Sequence, residues 1–295
     1  MSDTHTISSD SPFRHNLSVI FRLMKKSPIY ILGAAFIAAY LIFSALATLY
    51  PPITGYDMFA LNLDLAFKPP SLQYPFGTDD LGRNILSKVL AGAPIDSGVS
   101  LFIVGSSLGI GLLSGAIAGY FGGVVDQIIM RVTDIFLAFP GLVLALAIAS
   151  ALGSGTINAI IALLVVWWPV YTRLARGETL AVNSHPYILA AKASGLSRTR
   201  IVISHVIPNV LPPLIAYATA DLGSVIIFFS VLGFLGLGAQ PPLVDIGRIV
   251  YDGRNFIQTA PWYSLLPGAV LFLIVISFAL VGDLIQDYLD PSTRR

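Results

Sequence analysis

The chain has 295 residues, of which 55% are hydrophobic and only 11% are Asp, Glu, Lys or Arg; its formal net charge is +1 and its mean hydropathy is +0.79. Soluble domains carry about 25% charged residues, so this composition excludes a soluble enzyme of this length and a disordered chain. The lack of a dense basic patch excludes a nucleic-acid binder, and the absence of cysteine excludes disulfides, thiolate metal sites and cysteine nucleophiles.

What remains is an all-α, polytopic membrane protein. A spanning helix needs about 20 mostly apolar residues, so stretches free of Asp, Glu, Lys and Arg mark the candidates. The first follows a basic N-terminal tail, residues 1–28. It gives a helix over 29–49, ended by Tyr50-Pro51-Pro52. Its apolar part is too long for a signal peptide, and no small-residue cleavage site precedes Pro51. The run 97–125 gives a second helix over 98–119. The run 135–172 is too long for one helix, and Gly153-Ser154-Gly155-Thr156 divides it into helices over 133–152 and 157–175. The run 201–244 is interrupted only by Asp221 and gives a helix over 211–237. The last run, 255–282, gives a helix over 264–286.

Six spans put both termini on one side. With that side cytoplasmic, the inside segments hold twelve Lys and Arg and the outside segments five. The bias fixes both termini in the cytoplasm. In the second helix Gly111, Gly115 and Gly119 lie four apart on one face, with Gly105 and Gly109 before them. Such a face lets helix backbones approach closely in lipid. Packing within the chain is favoured over a subunit contact.

Two loops exceed the 2–8 residues usual between bundled helices. The outer one, 51–96, contains Pro51-Pro52, Pro69-Pro70 and Pro75, which keep it extended or turned. Gly77-Thr78-Asp79-Asp80-Leu81-Gly82-Arg83-Asn84 follows. Thr78 or Asp79 can cap a short helix, Asp79 precedes Arg83 by four residues, and Leu81, Ile85 and Val89 share a face. The pattern predicts a short amphipathic helix at the outer surface. In the inner segment, 176–208, Asn183 or Ser184 caps a helix with Pro186 in its first turn, and Gly195 ends it. Ser197 starts a second short helix that Pro208 limits. This helix–turn–helix is read either as a dock for a soluble partner or as a basic helix resting on anionic lipid.

Little catalytic chemistry is available. No G-x-x-x-x-G-K-[ST] phosphate loop occurs. Gly105-Ser106-Ser107-Leu108-Gly109 matches G-x-S-x-G, but inside a membrane helix and without a nearby His, so helix packing explains it better. His5, His15, His185 and His205 show no metal-ligand spacing. Asp221 is the one ionisable residue deep in a span. It could carry protons in a secondary transporter or bind a substrate amine. No second ionisable group lies deep in the other spans, so an interior hydrogen-bonded residue is the favoured reading.

Four segments carry a family resemblance. Ala190-Ala191-Lys192-Ala193-Ser194-Gly195, followed by Ile201 and by His205-Val206-Ile207-Pro208-Asn209, resembles the E-A-A-x-x-x-G…I-x-x-x-H-x-x-P-N loop of ABC importer permeases. Gly77-Thr78-Asp79 with Gly82-Arg83-Asn84 resembles their G-T-D-x-x-G-R-D segment. Phe234 to Pro242 resembles F-L-G-L-G-x-x-P-P, and Leu280-Val281-Gly282-Asp283 with Asp287 and Leu289-Asp290-Pro291 resembles the closing L-x-G-D…R-D-x-L-D-P. Together they are similar to the second, C-type permease of the dipeptide/oligopeptide/nickel branch, over about residues 20–291. Leu189, Asn84, Phe229, Ile246 and Gln286 depart from the pattern.

The resemblance implies a type I ABC importer permease fold and no catalytic role for this chain. Residues 29–96 would form the first span and external loop. Residues 97–291 would form the core with its coupling loop 176–208, and residues 292–295 the C-terminal tail. It implies a homologous sister permease, two ATPase subunits holding ATP and Mg, an external solute-binding protein and a multi-pass place in the cell membrane. No cofactor is expected in this chain. Ala190, Ala191, Lys192, Gly195, Leu196, Arg198, His205, Pro208 and Asn209 would couple to an ATPase, and Asp221 would border the substrate path. The cargo would be a di- or oligopeptide, an oligosaccharide or a nickel chelate. Two competing functions follow from the residues alone, a proton-coupled transporter using Asp221 and an intramembrane hydrolase.

Overall fold

The computed structural model describes residues 28–49 and 61–289. The tails, Pro51-Pro52, and Asp290-Pro291 of the closing motif lie outside the described residues. No strand occurs among the described residues; one isolated antiparallel bridge joins Thr78 and Asn84. The helices are α1 (Pro28–Leu49), α2 (Ile85–Phe121), α3 (Gly123–Leu137), α4 (Gly141–Leu152), α5 (Thr156–Asn183), α6 (Pro186–Ala193), α7 (Arg198–Ile201), α8 (Ile207–Phe234), α9 (Ile246–Gly253) and α10 (Trp262–Leu289). Four are long and apolar enough to cross a membrane, counting α7 through α8 as one helix, and the bent pair α3–α4 makes up to a fifth.

Several elements differ from the sequence expectation. No separate surface helix covers residues 78–89, and Leu81 lies outside any helix. Residues 77–84 form a turn, and Asn84, not Thr78 or Asp79, caps α2 by accepting from the Leu86 and Ser87 N–H groups. The expected surface helix and second span are therefore one helix of 37 residues. The span predicted over 133–152 is broken at Ala138–Pro140, where α3 and α4 meet at 83°. Pro140 lacks the N–H that would continue α3 and disfavours helical backbone at Phe139. Hydropathy alone gives no sign of that break.

The expected span 157–175 runs on to Asn183, so neither Asn183 nor Ser184 caps the next helix; His185 does, with Pro186 at its first position. Pro208 does not end the helix started at Ser197. A π-helical turn over Val202–Val206 widens the backbone just before it, so Pro208 sits inside a helix that runs on from α7 into α8.

The glycine face packs within the chain. A Cβ on Gly111 would lie 2.3 Å from Tyr171 Cβ, one on Gly115 2.5 Å from the Thr172 carbonyl, and one on Gly119 2.8 Å from Thr179 Cβ. The absent side chains thus let α2 and α5 lie backbone to backbone. Gly105 and Gly109 meet nothing. Gly282 plays the same part between α10 and α8, where a Cβ would lie 2.3 Å from Ala220 Cβ.

The core stacks along the bundle in three clusters. One gathers Ile85, Val89, Ile246, Ile249 and Tyr263 at one end, a second Ile103, Leu163, Trp167, Tyr171 and Phe229 in the middle, and a third Ile188, Ile201, Val206 and Leu214 at the other end. Outside them, Leu32, Leu101, Ile128, Ile157 and Phe272 point outward. An apolar exterior of this kind suits a hydrocarbon surround.

Candidate functional site

Three places hold the residues singled out by sequence. The first is the 183–209 end of the bundle. α5 is tied there by Asn183, whose amide donates to the Gly119 carbonyl at 3.1 Å. α6 then crosses the end of the bundle. Ile188 and Ala191 point inward and join Ala175, Val182, Val206 and Val210. Tyr187, Leu189, Ala190 and Lys192 point away from the core. The two alanines of the motif therefore have separate jobs: Ala191 fits α6 to its own bundle, and Ala190 keeps the free face low.

α6 ends in a Schellman motif. The Gly195 N–H donates to Lys192 O at 3.1 Å and the Leu196 N–H to Ala191 O at 3.3 Å, with Gly195 at φ +75°. Leu196 folds back onto the cluster below. Ser197 caps the next helix by accepting from the Arg200 N–H. Lys192 lies over the Tyr120 ring, 5.3 Å from its centroid. Arg198, Pro208 and Asn209 are exposed. Asn209 donates to the His205 carbonyl at 2.6 Å, and the buried Nδ1 of His205 has no partner among the described residues. The structure brings these residues together at one end of the bundle. What braces them was missed in the sequence: Arg176 of α5 holds Asp126 of α3 at 2.6 Å, and Arg173 holds Asp134 at 2.7 Å.

The second place is the opposite end. Asp79 is fully buried. Its Oδ1 accepts the Leu81 and Arg83 N–H groups at 3.0 and 2.8 Å, and its Oδ2 accepts Arg83 Nε at 2.6 Å and Lys88 Nζ at 3.2 Å. The Thr78 hydroxyl donates to Leu65 O and accepts the Lys68 N–H at 2.8 Å. Gly77 and Gly82 have φ of +72° and +76°, and a Cβ at Gly82 would lie 1.9 Å from the Asn62 carbonyl. These residues bind segment 61–84 to α2 through the Asp79–Lys88 pair and to α10 through Trp262, whose Nε1–H donates to the Thr78 carbonyl at 3.4 Å. They look inward rather than toward a ligand.

Close by, Asp96 of α2 and Asp245 before α9 are both fully buried. Asp96 Oδ2 accepts the Ile246 N–H at 3.2 Å, while Asp245 accepts the Arg248 and Ala239 N–H groups at 2.8 and 3.0 Å. Burial pushes the Asp245 carboxyl up to about 6, against the backbone hydrogen bonds that favour its ionised form.

The third place is the middle of the bundle. Asp221 Oδ2 accepts Trp167 Nε1–H at 2.6 Å and the Tyr171 hydroxyl at 2.9 Å. The favoured reading of Asp221 as an interior hydrogen-bonded residue matches this geometry. Trp167 and Tyr171 were missed, although their four-residue spacing puts both on one face of a helix. No group of three or more His, Asp or Glu side chains placed to hold a metal occurs among the described residues.

Residues 111–295 match the family described as binding-protein-dependent transport system inner membrane component. The chain is 38% identical to the dipeptide permease DppC of Alkalihalophilus pseudofirmus, over 96% of this chain and 91% of that one. It is 39% identical to the probable D,D-dipeptide permease DdpC of Escherichia coli K12, over 98% and 96%. It is 36% identical to the glutathione permease GsiD of Escherichia coli O6, over 93% and 90%. A structure of the MetNI methionine ABC transporter in an inward-facing conformation superposes with a TM-score of 0.57 at 20% identity, over 70% of this chain and 98% of that one, and supports the fold. The chain belongs to the binding-protein-dependent inner-membrane transport components: it is a multi-pass permease subunit of an ABC importer, not an enzyme, and works with ATPase and solute-binding partners.

Proposed function

We propose that this permease imports short peptides, paired with one homologous sister permease above two ATPases that hold ATP and Mg. The peptide reading is supported by the relatives, which are a dipeptide, a D,D-dipeptide and a glutathione permease. Oligosaccharides and nickel chelates have no such support. Both termini lie in the cytoplasm, α1 and the five spans after it cross the membrane, and the chain's outward apolar residues meet lipid and the sister. The chain itself holds no cofactor.

One observation carries the coupling role. α6 is anchored by Ile188 and Ala191 on one side and presents Tyr187, Leu189 and Ala190 on the other. A free apolar face on a rigidly seated helix is suited to insertion into a cleft of a partner. Residues 183–200 form that element, with Lys192, Gly195, Leu196 and Arg198 shaping it and His205, Pro208 and Asn209 joining it to α8. Closure of the ATPases moves α6 as a rigid body, and α5 and α8 follow. The 77–83 motif holds the outer segment steady beneath the binding protein, and Asp221 borders the path.

The test is co-expression with the sister permease, ATPases and binding protein of the same host, followed by native mass spectrometry and uptake in liposomes. One copy of this chain, one sister, two ATPases and ATP-dependent dialanine uptake are expected. A homo-oligomer without ATPase would sink the proposal.

A further inference from the structure

A cavity of about 240 Å³ opens in the middle of the bundle, between α5, α8 and the bend from α3 to α4. Complete small-molecule sites run to about 300–1,000 Å³, so this one suits one end of a ligand. Phe136, Phe139, Trp167, Tyr217 and Phe228 line it, and Asp221 is the carboxylate among its lining residues.

Asp221 is buried and hydrogen-bonded, yet it has no counter-charge among the described residues. Trp167 and Tyr171 donate to the same oxygen. Both are neutral groups. Among the described residues no Lys, Arg or His forms an ion pair with Asp221. Arg173, two residues beyond Tyr171 on α5, is paired with Asp134 at 2.7 Å. The C-terminus of α3 and the N-terminus of α4 meet at the bend with dipoles of opposite sense, so they offset each other there. A buried carboxylate without a counter-charge, facing aromatic rings, attracts a cation: the rings carry negative faces and the low dielectric strengthens the pairing. Binding at a break in the spanning helices, near mid-bundle, is a known arrangement in transporters.

We propose that this cavity receives the N-terminal ammonium of the transported peptide, with Asp221 as its counter-charge and the aromatic rings as its cage. The inference rests on the peptide-import reading. It makes Asp221 a specificity-determining residue that distinguishes a free amino terminus from an acylated one. Discrimination of this kind by the permease adds to any made by the binding protein.

The full importer, reconstituted in liposomes with its binding protein, tests it. Asp221→Asn keeps an acceptor oxygen for Trp167 and Tyr171 and removes the charge. ATP-dependent dialanine uptake should fall at least tenfold in this variant, with the complex still assembled by native mass spectrometry. A second measurement needs neither the variant nor delivery. Dialanine at millimolar concentration should quench tryptophan fluorescence of the solubilised permease complex, and N-acetyl-dialanine should not; the signal should vanish in Trp167→Phe. Undiminished uptake in an assembled Asp221→Asn complex, or equal quenching by the acetylated peptide, overturns the inference alone. Uptake that survives without ATP and collapses with a proton ionophore makes Asp221 a proton carrier and overturns it too. A wild-type complex that hydrolyses ATP but imports no dipeptide overturns the peptide reading itself.

Discussion

Asp79 and Lys88 meet at 3.2 Å with both side chains buried, and the same carboxylate also holds Arg83 at 2.6 Å. One anion therefore serves two cations and two backbone N–H groups. Every lone pair of the carboxylate is used, which is the condition under which a buried charge is tolerated. The cluster pins the start of α2 to the outer segment.

Asp79→Asn removes the counter-charge the two cations share and leaves buried Lys88 with only Asp252 at 3.9 Å and Arg83 with only Asp80 at 3.9 Å. Breaking a buried pair from one side costs about 3–5 kcal/mol. The solubilised variant should unfold at lower temperature by that measure. Adding Lys88→Met should recover part of the loss, because the stranded ammonium is then gone. A double variant no more stable than Asp79→Asn would show that Arg83 and the turn carry the effect.

The glycine stripe separates packing from mere smallness. Gly115→Val must place a side chain where the first carbon already lies 2.5 Å from the Thr172 carbonyl. Overpacking costs about 1–3 kcal/mol where neighbours can shift, and here the neighbour is helix backbone. Gly109→Ala meets nothing within 4 Å and should stay within about 0.5 kcal/mol of the parent. Thermal unfolding of the two variants beside the parent checks the contrast. Equal losses would mean that α2 and α5 do not touch along this face.

That stripe was legible because helical period can be read from one sequence, and Gly111, Gly115 and Gly119 repeat at four. The 77–83 turn was half legible. The four-residue spacing predicted the Asp79–Arg83 pair, but a helix and a tight turn both bring such residues together, and Gly77 and Gly82 at positive φ select the turn. The break at Pro140 was hidden because an apolar run looks the same whether the backbone goes straight or bends by 83°. Asp221 stood out alone, but its partners sit 50 and 54 residues away. Nothing local to Asp221 points to them.

Gly195 sits at φ +75°, and a Cβ added there would meet nothing within 4 Å. Substitution there meets strain rather than collision. Left-handed backbone costs an ordinary L-residue about 1–2 kcal/mol, and Asn tolerates it best. Gly195→Asn should keep the Schellman turn and retain uptake. Gly195→Val, β-branched, should open the turn, release Leu196 from the cluster below, and uncouple ATP hydrolysis from uptake. Parallel assays of ATPase and dialanine uptake in liposomes check both. Full uptake by Gly195→Val would remove the turn from the coupling path.

Asp245 predicts the sign of a pH effect. Its carboxyl is pushed by burial from the ordinary 3.8 to about 6. Between those values the folded protein holds a proton that the unfolded chain releases. Stability from this group is therefore full below about pH 4, declines as pH rises through 6, and stays lost above it. The groups facing it are Asp96, which shares its buried site, and Arg248, whose N–H it accepts at 2.8 Å. Acidification from pH 7 to pH 5 should raise the unfolding temperature of the solubilised protein. Asp245→Asn is neutral at every pH, so it should lessen that slope, and Asp96 in the same buried site carries the remainder. A slope unchanged in Asp245→Asn would take this group out of the effect, and the double variant with Asp96→Asn should flatten it if the pair holds the proton.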